Sequence, residues 1–423
     1  MVMITDLTFD LEKKILALVP KESRPHAWQT ICKRWYAVRQ DLLSKKHLAR
    51  TGREFILLLN TNVFSTTINL EGVHNNVDPV MDFGGKLGSL QDSNDLQIHD
   101  IFYCKGLVLC TMVGKQMLVV CNPSNRETRY VEPRTSHDCF EYALGYKGSK
   151  ASCVNSYKIL RYCRYFDKQA MRTVSEFELY DFMSDSWRVL DVDEHDWEIS
   201  ARGVSVKGNT YWVAKENEDQ FILSFDFTRE RFGFLPLPYE SAGPEDSMND
   251  EYDDTAVLSV VRDEQLSVLH QYLHLDLYEM KIWVSNMIGT KKVSWGEFLV
   301  VDVVLLNVVS FVVDEEHKVA VCCSTGKDDP SDDSEEECTS ISIIGKNIQS
   351  LVYDEGAIHG SWPHLINYVP SPVQILRKST RKSKRKRTTR SFNRHQPEEG
   401  TSARSVEETK VTPNAKPKAR RSF

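Results

Sequence analysis

The strongest constraint on the fold is a loose repeat in the middle of the chain. In each copy, an apolar run with the character of a β-strand is followed by a polar turn and then by an aromatic residue that opens the next strand. Four runs of this kind occupy residues 119–123, 178–182, 223–227 and 281–284, and the aromatic residues that follow them are Tyr130, Trp187, Phe232 and Trp295. Asn122, Asp181 and Asp226 stand at three of the turns, where short polar side chains accept hydrogen bonds from nearby backbone amides.

The spacing of these units predicts a ring. The first three begin 59 and 45 residues apart, close to the length of a four-stranded propeller blade with loop insertions, and residues 52–355 then hold about six units. A row of hairpins leaves unpaired edge strands, and closing the row into a ring removes most of them. We therefore expect a kelch-like propeller or a related ring of antiparallel hairpins, which residues 368–373 close by returning to the first blade. A stack of sheets or a sandwich is the alternative.

Further strand-like runs support a mainly β protein. Residues 106–110 and 116–120 form a predicted hairpin around Gly114, and other apolar or alternating runs occupy residues 55–59, 157–162 and 176–180. The apolar stretch at residues 298–313 is short, rich in valine and interrupted by polar residues. It predicts two buried strands joined by a turn, and it argues against a membrane helix or a membrane partner.

The first fifty residues follow a helical pattern instead. An apolar stripe at i, i+4, i+8 and i+9 spacing precedes a proline, and a second apolar run follows a short break. The stripe and its proline comprise Leu7, Leu11, Ile15, Leu16, Val19 and Pro20, and the second run contains Ile31, Cys32 and Trp35. Two or three helices of this total length cannot bury a core alone. Either the rest of the chain or a partner protein must cover their apolar face.

These residues resemble a known motif. Residues 7–20 resemble the opening of an F-box, and residues 31–35 resemble its Cys-Lys-x-Trp close, although Thr8, Arg24, Ala27 and Trp28 depart from the usual pattern. The middle region is similar to the plant F-box-associated (type 1) interaction domain. That similarity is carried by residues 143–146, 157–161, 180–190, 202–212, 225–232 and 282–284.

The resemblance implies a non-catalytic substrate-recognition subunit of an SCF-type ubiquitin ligase, which needs no cofactor. It implies that the F-box binds a Skp-type adaptor, and through it a cullin, while the β domain holds a protein substrate. The adaptor-binding residues implied are Leu7, Leu11, Ile15, Leu16, Val19, Pro20, Ile31, Cys32 and Trp35. The domains expected are an F-box helical domain at residues 1–50, an F-box-associated β domain at 51–375 and a disordered basic tail at 376–423.

Charge divides the chain in the same places. Residues 1–50 hold ten Lys and Arg against five Asp and Glu, and residues 374–423 hold sixteen against four, whereas the whole chain carries −7. The body between them is therefore strongly acidic, which argues against nucleic acid as its partner. Two very acidic stretches, residues 245–254 and 328–337, are expected to be solvated loops between strands, with a docking patch for a basic peptide as the sharper alternative.

The tail contains a compact cationic cluster that is typical of nuclear import signals. It consists of Lys382, Lys384, Arg385, Lys386 and Arg387. We expect the protein in the nucleus, the cytoplasm or both. Nucleic-acid binding through the tail is an alternative function, but no aromatic platform accompanies the charge. The other alternative is a propeller interaction module that no longer engages a ligase.

The sequence offers no convincing catalytic or metal site. His270 and His274 have i, i+4 spacing, but no glutamate follows His270 as a zinc protease would require, so both are expected on the solvent-facing side of a strand. Cys322 and Cys323 are adjacent on a predicted strand, and their thiols should therefore point to opposite faces. Binding to another protein, without chemistry of its own, is the function these patterns favour.

Overall fold

A computed structural model describes most of the middle of the chain. It covers residues 53–375 apart from 76, 88–96, 113–114, 135–140, 149–155, 169–170, 193–194, 218, 240–254, 275–276, 290–291, 303–306, 327–337, 359–360 and 372. These described residues form twenty-five strands in six antiparallel sheets. Each sheet is one blade of a propeller.

The first three blades are built from strands that follow one another along the chain, with one exception. Blade 1 contains β1 (Arg53–Leu59), β2 (Asn62–Asn69) and β3 (Val80–Lys86), together with the final strand β25 (His364–Asn367). Blade 2 contains β4 (Ile98–Cys104), β5 (Leu107–Met112), β6 (Lys115–Asn122) and β7 (Glu127–Val131). Blade 3 contains β8 (Glu141–Lys147), β9 (Ser156–Asp167), β10 (Arg172–Asp181) and β11 (Ser186–Leu190). A short 3-10 turn at Val73–Asn75 links β2 to β3.

The other three blades continue in order. Blade 4 contains β12 (Glu198–Ile199), β13 (Val204–Val206), β14 (Asn209–Glu216), β15 (Asp219–Asp226) and β16 (Arg231–Leu235). Blade 5 contains β17 (Thr255–Val261), β18 (Gln265–His274), β19 (Leu277–Ile288) and β20 (Val293–Asp302). Blade 6 contains β21 (Val308–Asp314), β22 (Val319–Gly326), β23 (Cys338–Gly345) and β24 (Ile348–Ala357).

The innermost strands of the blades form a closed circle. In order around the axis, β25, β4, β8, β13, β17 and β21 contact one another, and β21 contacts β25 again. Outer strands such as β3 and β11 are mostly exposed, whereas β4, β17 and β21 are mostly buried. The sequence prediction of a ring is confirmed, with six blades, and the sandwich alternative is wrong.

The two ends of the ring need names. We call the end at which the inner strands begin the upper face, which is marked by Ile98, Glu141, Thr255 and His364. The opposite end, where those strands turn back, is the lower face. Arg53, the first residue of β1, lies at the lower face, where its guanidinium donates to the carbonyl of Val313 at 2.7 Å and to Asp314 Oδ2 at 3.0 Å.

The repeat found in the sequence is the outer hairpin of a blade. The four runs are β6, β10, β15 and β19, and each pairs with the strand that carries the following aromatic residue. The turn residues act as expected. Asn122, Asp181 and Asp226 each accept a backbone hydrogen bond on Oδ1 from the residue two positions later, at 2.7–2.9 Å.

The hydrophobic core lies between the blades rather than within them. Five clusters of buried side chains cover the six interfaces, with one cluster shared by blades 2, 3 and 4. Because side chains alternate along a strand, one middle strand serves two interfaces. Cys322 packs toward blade 5 and Cys323 toward blade 1, which confirms that their thiols point to opposite faces.

Ring closure uses different residues from those expected. The closing strand is β25, which pairs with β1 so that His364 lies opposite Leu58 and Asn367 opposite Phe55. Residues 368–371 and 373 continue along the lower face to blade 2, where Asn122 Nδ2 donates to the carbonyls of Ser371 and Val373 at 2.9 and 2.6 Å. The amide of Tyr368 still donates to the carbonyl of Glu54 in β1 at 3.2 Å, but Pro370 has no amide to donate, so the pairing does not continue beyond it.

Two other expectations need correction. His270 is only 8% exposed and stacks on Tyr239 with ring centroids 3.9 Å apart, so its predicted solvent-facing position is wrong. A middle strand of a blade has a neighbouring blade on each side, and neither of its faces is wet; the side chain of His274 lies outside the described residues. Residues 298–313 do belong to two strands, but only β21 is buried, because β20 is the outer edge of blade 5.

Candidate functional site

An interruption of the inner strand in blade 4 places an arginine at the upper mouth of the central channel. Both β12 and β13 pair with β14, and residues 200–203 leave the ladder between them. Gly203 makes this possible, since a Cβ there would lie 2.4 Å from Trp212 Nε1. The chain therefore runs directly over Trp212, and the side chain of Arg202 extends into the channel mouth.

Arg202 connects three blades. Its Nε lies 3.2 Å from Asp100 Oδ1 near the start of β4. Its Nη1 donates to the carbonyl of Pro363 at 2.9 Å, and its Nη2 donates to the carbonyl of Trp362 at 3.3 Å. These carbonyls immediately precede the closing strand β25. One guanidinium thus ties the closing strand to blades 2 and 4 at the axis of the ring.

The ionisable side chains at the mouth differ in the direction in which their pKa values are shifted. Burial raises the pKa of Asp100, but the Arg202 charge and the His364 contact outweigh it, so that the pKa is lower than usual. Burial and the Arg202 charge lower the pKa of His364, which is therefore neutral at pH 7. The side chain of Glu141 is exposed, but nearby protein atoms displace part of the water around it. This desolvation and the negative charge of Asp100 raise the pKa of Glu141 to about 7.

A cavity opens beside Arg202 at the upper face. It has a volume of about 420 Å³, which lies within the usual range for ligand sites. Its walls combine aliphatic side chains such as Val257 with the neutral polar residues Gln220, Thr255 and Asn307. Trp362 stands at its edge and is 47% exposed, an unusual position for so large an apolar ring. Tryptophan is enriched among the residues that contribute most of the binding energy in protein interfaces.

Below this mouth the channel is narrow, and serine side chains form hydrogen bonds across it. Ser259 Oγ donates to the carbonyl of Phe311 at 2.6 Å, and Ser310 Oγ accepts from the amide of Leu365 at 2.9 Å. Ser205 Oγ lies 3.1 Å from the sulfur of Cys104. Each bond joins two blades. The cavity in this part of the channel has a volume of about 40 Å³, about a tenth of that at the mouth.

The described residues show no arrangement specific to chemistry. Among them, no three His, Cys, Asp or Glu side chains are grouped so that they could hold a metal ion. The buried thiols of Cys104 and Cys323 have pKa values raised to about 12 by burial, which leaves them protonated and unreactive at neutral pH. No helix in the described part of the chain has the length and apolar character to span a membrane.

Comparison with known families decides the identity of this ring. The F-box associated beta propeller domain matches residues 54–375, from the first strand of blade 1 to the end of the segment that follows β25. The chain belongs to the F-box-associated β-propeller family. The runs quoted above for the resemblance, such as residues 180–190 and 225–232, include the outer hairpins of blades 3 and 4 in the propeller.

Curated relatives of this F-box-associated protein come from Arabidopsis thaliana. The F-box/kelch-repeat protein At3g17530 is 43% identical over 387 residues, covering 88% of this chain and 96% of its own. The putative F-box/kelch-repeat protein At3g17540 is 44% identical over 398 residues, covering 90% and 96%. Among solved structures, TolB from Acinetobacter baumannii matches with a TM-score of 0.42 and 9% identity, over 79% of this chain and 72% of its own.

Several sequence-based site predictions fall outside the described residues. They are the adaptor-binding residues Leu7, Leu11, Ile15, Leu16, Val19, Pro20, Ile31, Cys32 and Trp35, and the import candidates Lys382, Lys384, Arg385, Lys386 and Arg387. The acidic residues 245–254 and 328–337 are also outside, although the strand ends that flank them, at Thr255, Gly326 and Cys338, lie at the upper face. These assignments stay predictions.

The residues at the channel mouth were not singled out as a site in the sequence. Asp100, Glu141 and Trp362 lie far apart along the chain and form no spaced motif. Their shared feature is position, since each lies near the start of an inner strand. Inner strands converge on the axis of a propeller, so polar or aromatic residues at these starts would have been the signal.

Proposed function

We propose that this protein is the substrate receptor of an SCF-type ubiquitin ligase. Its N-terminal residues 1–50 bind a Skp-type adaptor, and through it a cullin, while the upper face of the propeller holds the target protein. Family membership supports this proposal, because the relatives carry F-box names and the match covers 96% of the length of At3g17530 and of At3g17540. The receptor raises the concentration of target lysines near the conjugating enzyme and takes no chemical part.

The geometry of the ring supports adaptor binding and target binding at opposite ends of the ring. Arg53 and the segment that ends at Ile375 both lie at the lower face, where Ile375 donates its backbone amide to Glu127 Oε2 at 2.9 Å. The N-terminal segment therefore joins the ring on the side opposite the channel mouth. A target at the upper face would bind at the end of the ring opposite Arg53, and the cavity beside Arg202 opens at that end.

The test is capture of a recombinant Skp-type adaptor by the full-length chain. We expect wild type to retain the adaptor and Leu11→Asp/Leu16→Asp to lose it at least ten-fold, because two charges would enter an apolar contact. Val189→Asp/Leu351→Asp is the matched control: it makes the same chemical change at propeller residues that are 57% and 58% exposed, and it should bind normally.

Two outcomes would contradict the proposal. Wild type that fails to capture adaptor would leave a propeller interaction module without a ligase. Equal capture by wild type and the Leu11→Asp/Leu16→Asp variant would show that the N-terminal stripe is not the adaptor contact.

A further inference from the structure

The chain enters the propeller beside an exposed surface of blade 1. Arg53 begins β1 and pairs with Ile68 near the end of β2, so the point of entry at the lower face lies next to Asn69. On the other side of β1, the amide of Tyr368 donates to the carbonyl of Glu54 at 3.2 Å. The preceding chain therefore joins the ring at one fixed point, between the loop that follows β2 and the segment that follows β25.

The loop that follows β2 is held by contacts at both of its ends. The amide of Val77 donates to the carbonyl of Gly72 at 3.2 Å, and His74 Nε2 lies 2.7 Å from the carbonyl oxygen of His317 in blade 6. Val80 begins β3 directly opposite the last residue of β2. The loop therefore has a defined position beside the point of entry, and its exposed side chains form a fixed surface.

This surface combines exposed valines with unpaired carboxylates. We call it the entry patch, and it consists of Glu71, Val77, Asp78 and Val80. Val77 and Val80 are 54% and 65% exposed, and both carboxylates are exposed. A Cβ on Gly72 would lie 2.9 Å from Val77 Cγ2, which places this valine against the backbone next to Glu71. Within the part of the chain that the structure describes, no hydrogen bond or ion pair engages the side chains of Glu71 and Asp78.

The sequence just before the point of entry has the complementary composition. Residues 42–50 contain three leucines and three basic residues and no acidic residue, namely Leu42, Leu43, Leu48, Lys45, Lys46 and Arg50. Arg50 precedes Arg53 by three residues, a length of chain that spans at most about 10 Å. Covalent connection therefore keeps these basic side chains at a high local concentration beside the carboxylates.

The basic tail is the other segment of opposite charge, but it fits the entry patch less well. Residues 377–423 contain no leucine or isoleucine that could cover the valines. The tail also begins elsewhere, since the amide of Ile375 donates to Glu127 Oε2 in blade 2 at 2.9 Å. Charge, apolar content and chain connection together select the segment before Arg53.

We propose that residues 42–50 dock on the entry patch, with their basic side chains against its carboxylates and their leucines against its valines. The contact fixes the orientation of the N-terminal segment relative to the ring. This docking goes beyond the proposed function. Only its purpose, a constant distance between a bound adaptor and a bound target, rests on that function.

Carbodiimide cross-linking of the full-length chain tests the contact directly. The reagent joins a lysine amine to a carboxylate when the two groups touch, and mass spectrometry of the digest identifies the linked residues. We expect amide links from Lys45 or Lys46 to Glu71 or Asp78. Absence of these links would overturn the inference, and so would links that join the two carboxylates only to lysines of the tail.

Trypsin cleavage measures how far the docked state is populated. Trypsin cuts after Lys and Arg, and its sites within residues 382–387 give a reference rate in the same molecule. We expect Glu71→Gln/Asp78→Asn to be cleaved within residues 45–50 about five-fold faster than wild type, relative to that reference, because cleavage follows the undocked population and two exposed ion pairs have been lost. Val77→Ser/Val80→Ser should raise the rate in the same way, because it removes the apolar half of the patch.

A matched variant shows whether the effect belongs to the entry patch. Glu297→Gln/Asp302→Asn removes the same two charges from exposed positions of β20 in blade 5, and it should be cleaved at the wild-type rate. Both double neutralisations should unfold at the wild-type temperature, because they change only exposed side chains. Equal cleavage of wild type and Glu71→Gln/Asp78→Asn would overturn the inference, and so would an equal increase in the blade 5 variant.

The adaptor capture assay on the same preparations separates this inference from the proposed function. Adaptor capture by a wild type that forms none of the expected links would defeat the inference alone. The expected links without adaptor capture would defeat the ligase proposal and leave a propeller with a docked N-terminal segment.

Discussion

Gly145 shows how closely blades 3 and 4 approach each other. A Cβ at this position would lie 2.2 Å from the ring of Phe227, which is completely buried between the blades. Next to it, the amide of Tyr146 donates to the carbonyl of Gly208 at 3.1 Å. Gly145 and Phe227 both belong to runs that suggested the family. Their contact could not be predicted, because nothing in one sequence indicates which residues of different blades meet.

Replacing Gly145 by alanine should therefore destabilise the ring. The buried Phe227 ring has no open space to move into, and overpacking a core in this way costs about 1–3 kcal/mol. Urea unfolding of the full-length chain measures the loss. Gly148→Ala is the control, because a Cβ there would meet nothing within 4 Å. Equal stability of the two variants would contradict the contact, and Gly145→Ala/Phe227→Leu should recover part of the loss if it is real.

The grouping of residues at the channel mouth also could not be predicted from the sequence. Arg202 belongs to a run that carries the family resemblance, whereas Glu141 and Trp362 are isolated polar and aromatic residues in the sequence. Their proximity to Arg202 depends on the number of blades and on where each inner strand begins. Hydrophobic periodicity predicts the existence of a strand more reliably than its first residue, so the sequence alone could not bring these residues together.

Outer hairpins join neighbouring blades through their turns. Four residues after the turn-capping side chain, Arg126, Asp185 and Glu230 adopt a left-handed backbone with φ of 58°, 54° and 54°. In blades 3 and 4 this residue is acidic and meets an arginine from the outer strand of the preceding blade. Arg129 Nη2 lies 2.6 Å from Asp185 Oδ1, and Arg188 pairs with Glu230. The sequence predicted the turns correctly but gave no sign of these bridges, since each one spans two blades.

The bridge between Arg129 and Asp185 should couple blades 2 and 3. Its side chains are only 10% and 20% exposed, and the guanidinium also lies 4.8 Å from the ring centroid of Phe182. A double-mutant cycle with Arg129→Met and Asp185→Asn, followed by urea unfolding, should give a coupling energy of about 1–2 kcal/mol. Asparagine keeps the tolerance for the left-handed backbone.

Arg229→Ala is the comparison for this cycle. Arg229 pairs with Asp226 inside a single turn and is 54% exposed, so its removal should change stability by less than about 0.5 kcal/mol. A coupling energy near zero for Arg129 and Asp185 would mean that this bridge does not help to hold blades 2 and 3 together.

The whole ring depends on a strand that is far from its partner in sequence. β25 supplies the inner strand of a blade whose other three strands come from the beginning of the described chain. The prediction of a closing segment was right in principle, because a ring needs one, but it selected residues 368–373. A run of four residues is too short for a periodic signal, and only pairing with β1 identifies it.

Truncation tests how far this closure determines stability. β25 and the residues after it place Leu365 and Tyr368 in two different interfaces between blades, and each buried side chain of this size contributes about 2–3 kcal/mol. Losing both, together with the β1 pairing, removes much of the roughly 5–15 kcal/mol by which a domain is stable. A chain that ends at residue 360 should therefore show no cooperative thermal transition, whereas a chain that ends at Ile375 should unfold as the full-length protein does. If the shorter chain kept the full-length unfolding temperature, the ring would be held by its other contacts between blades, and β25 would be an accessory strand.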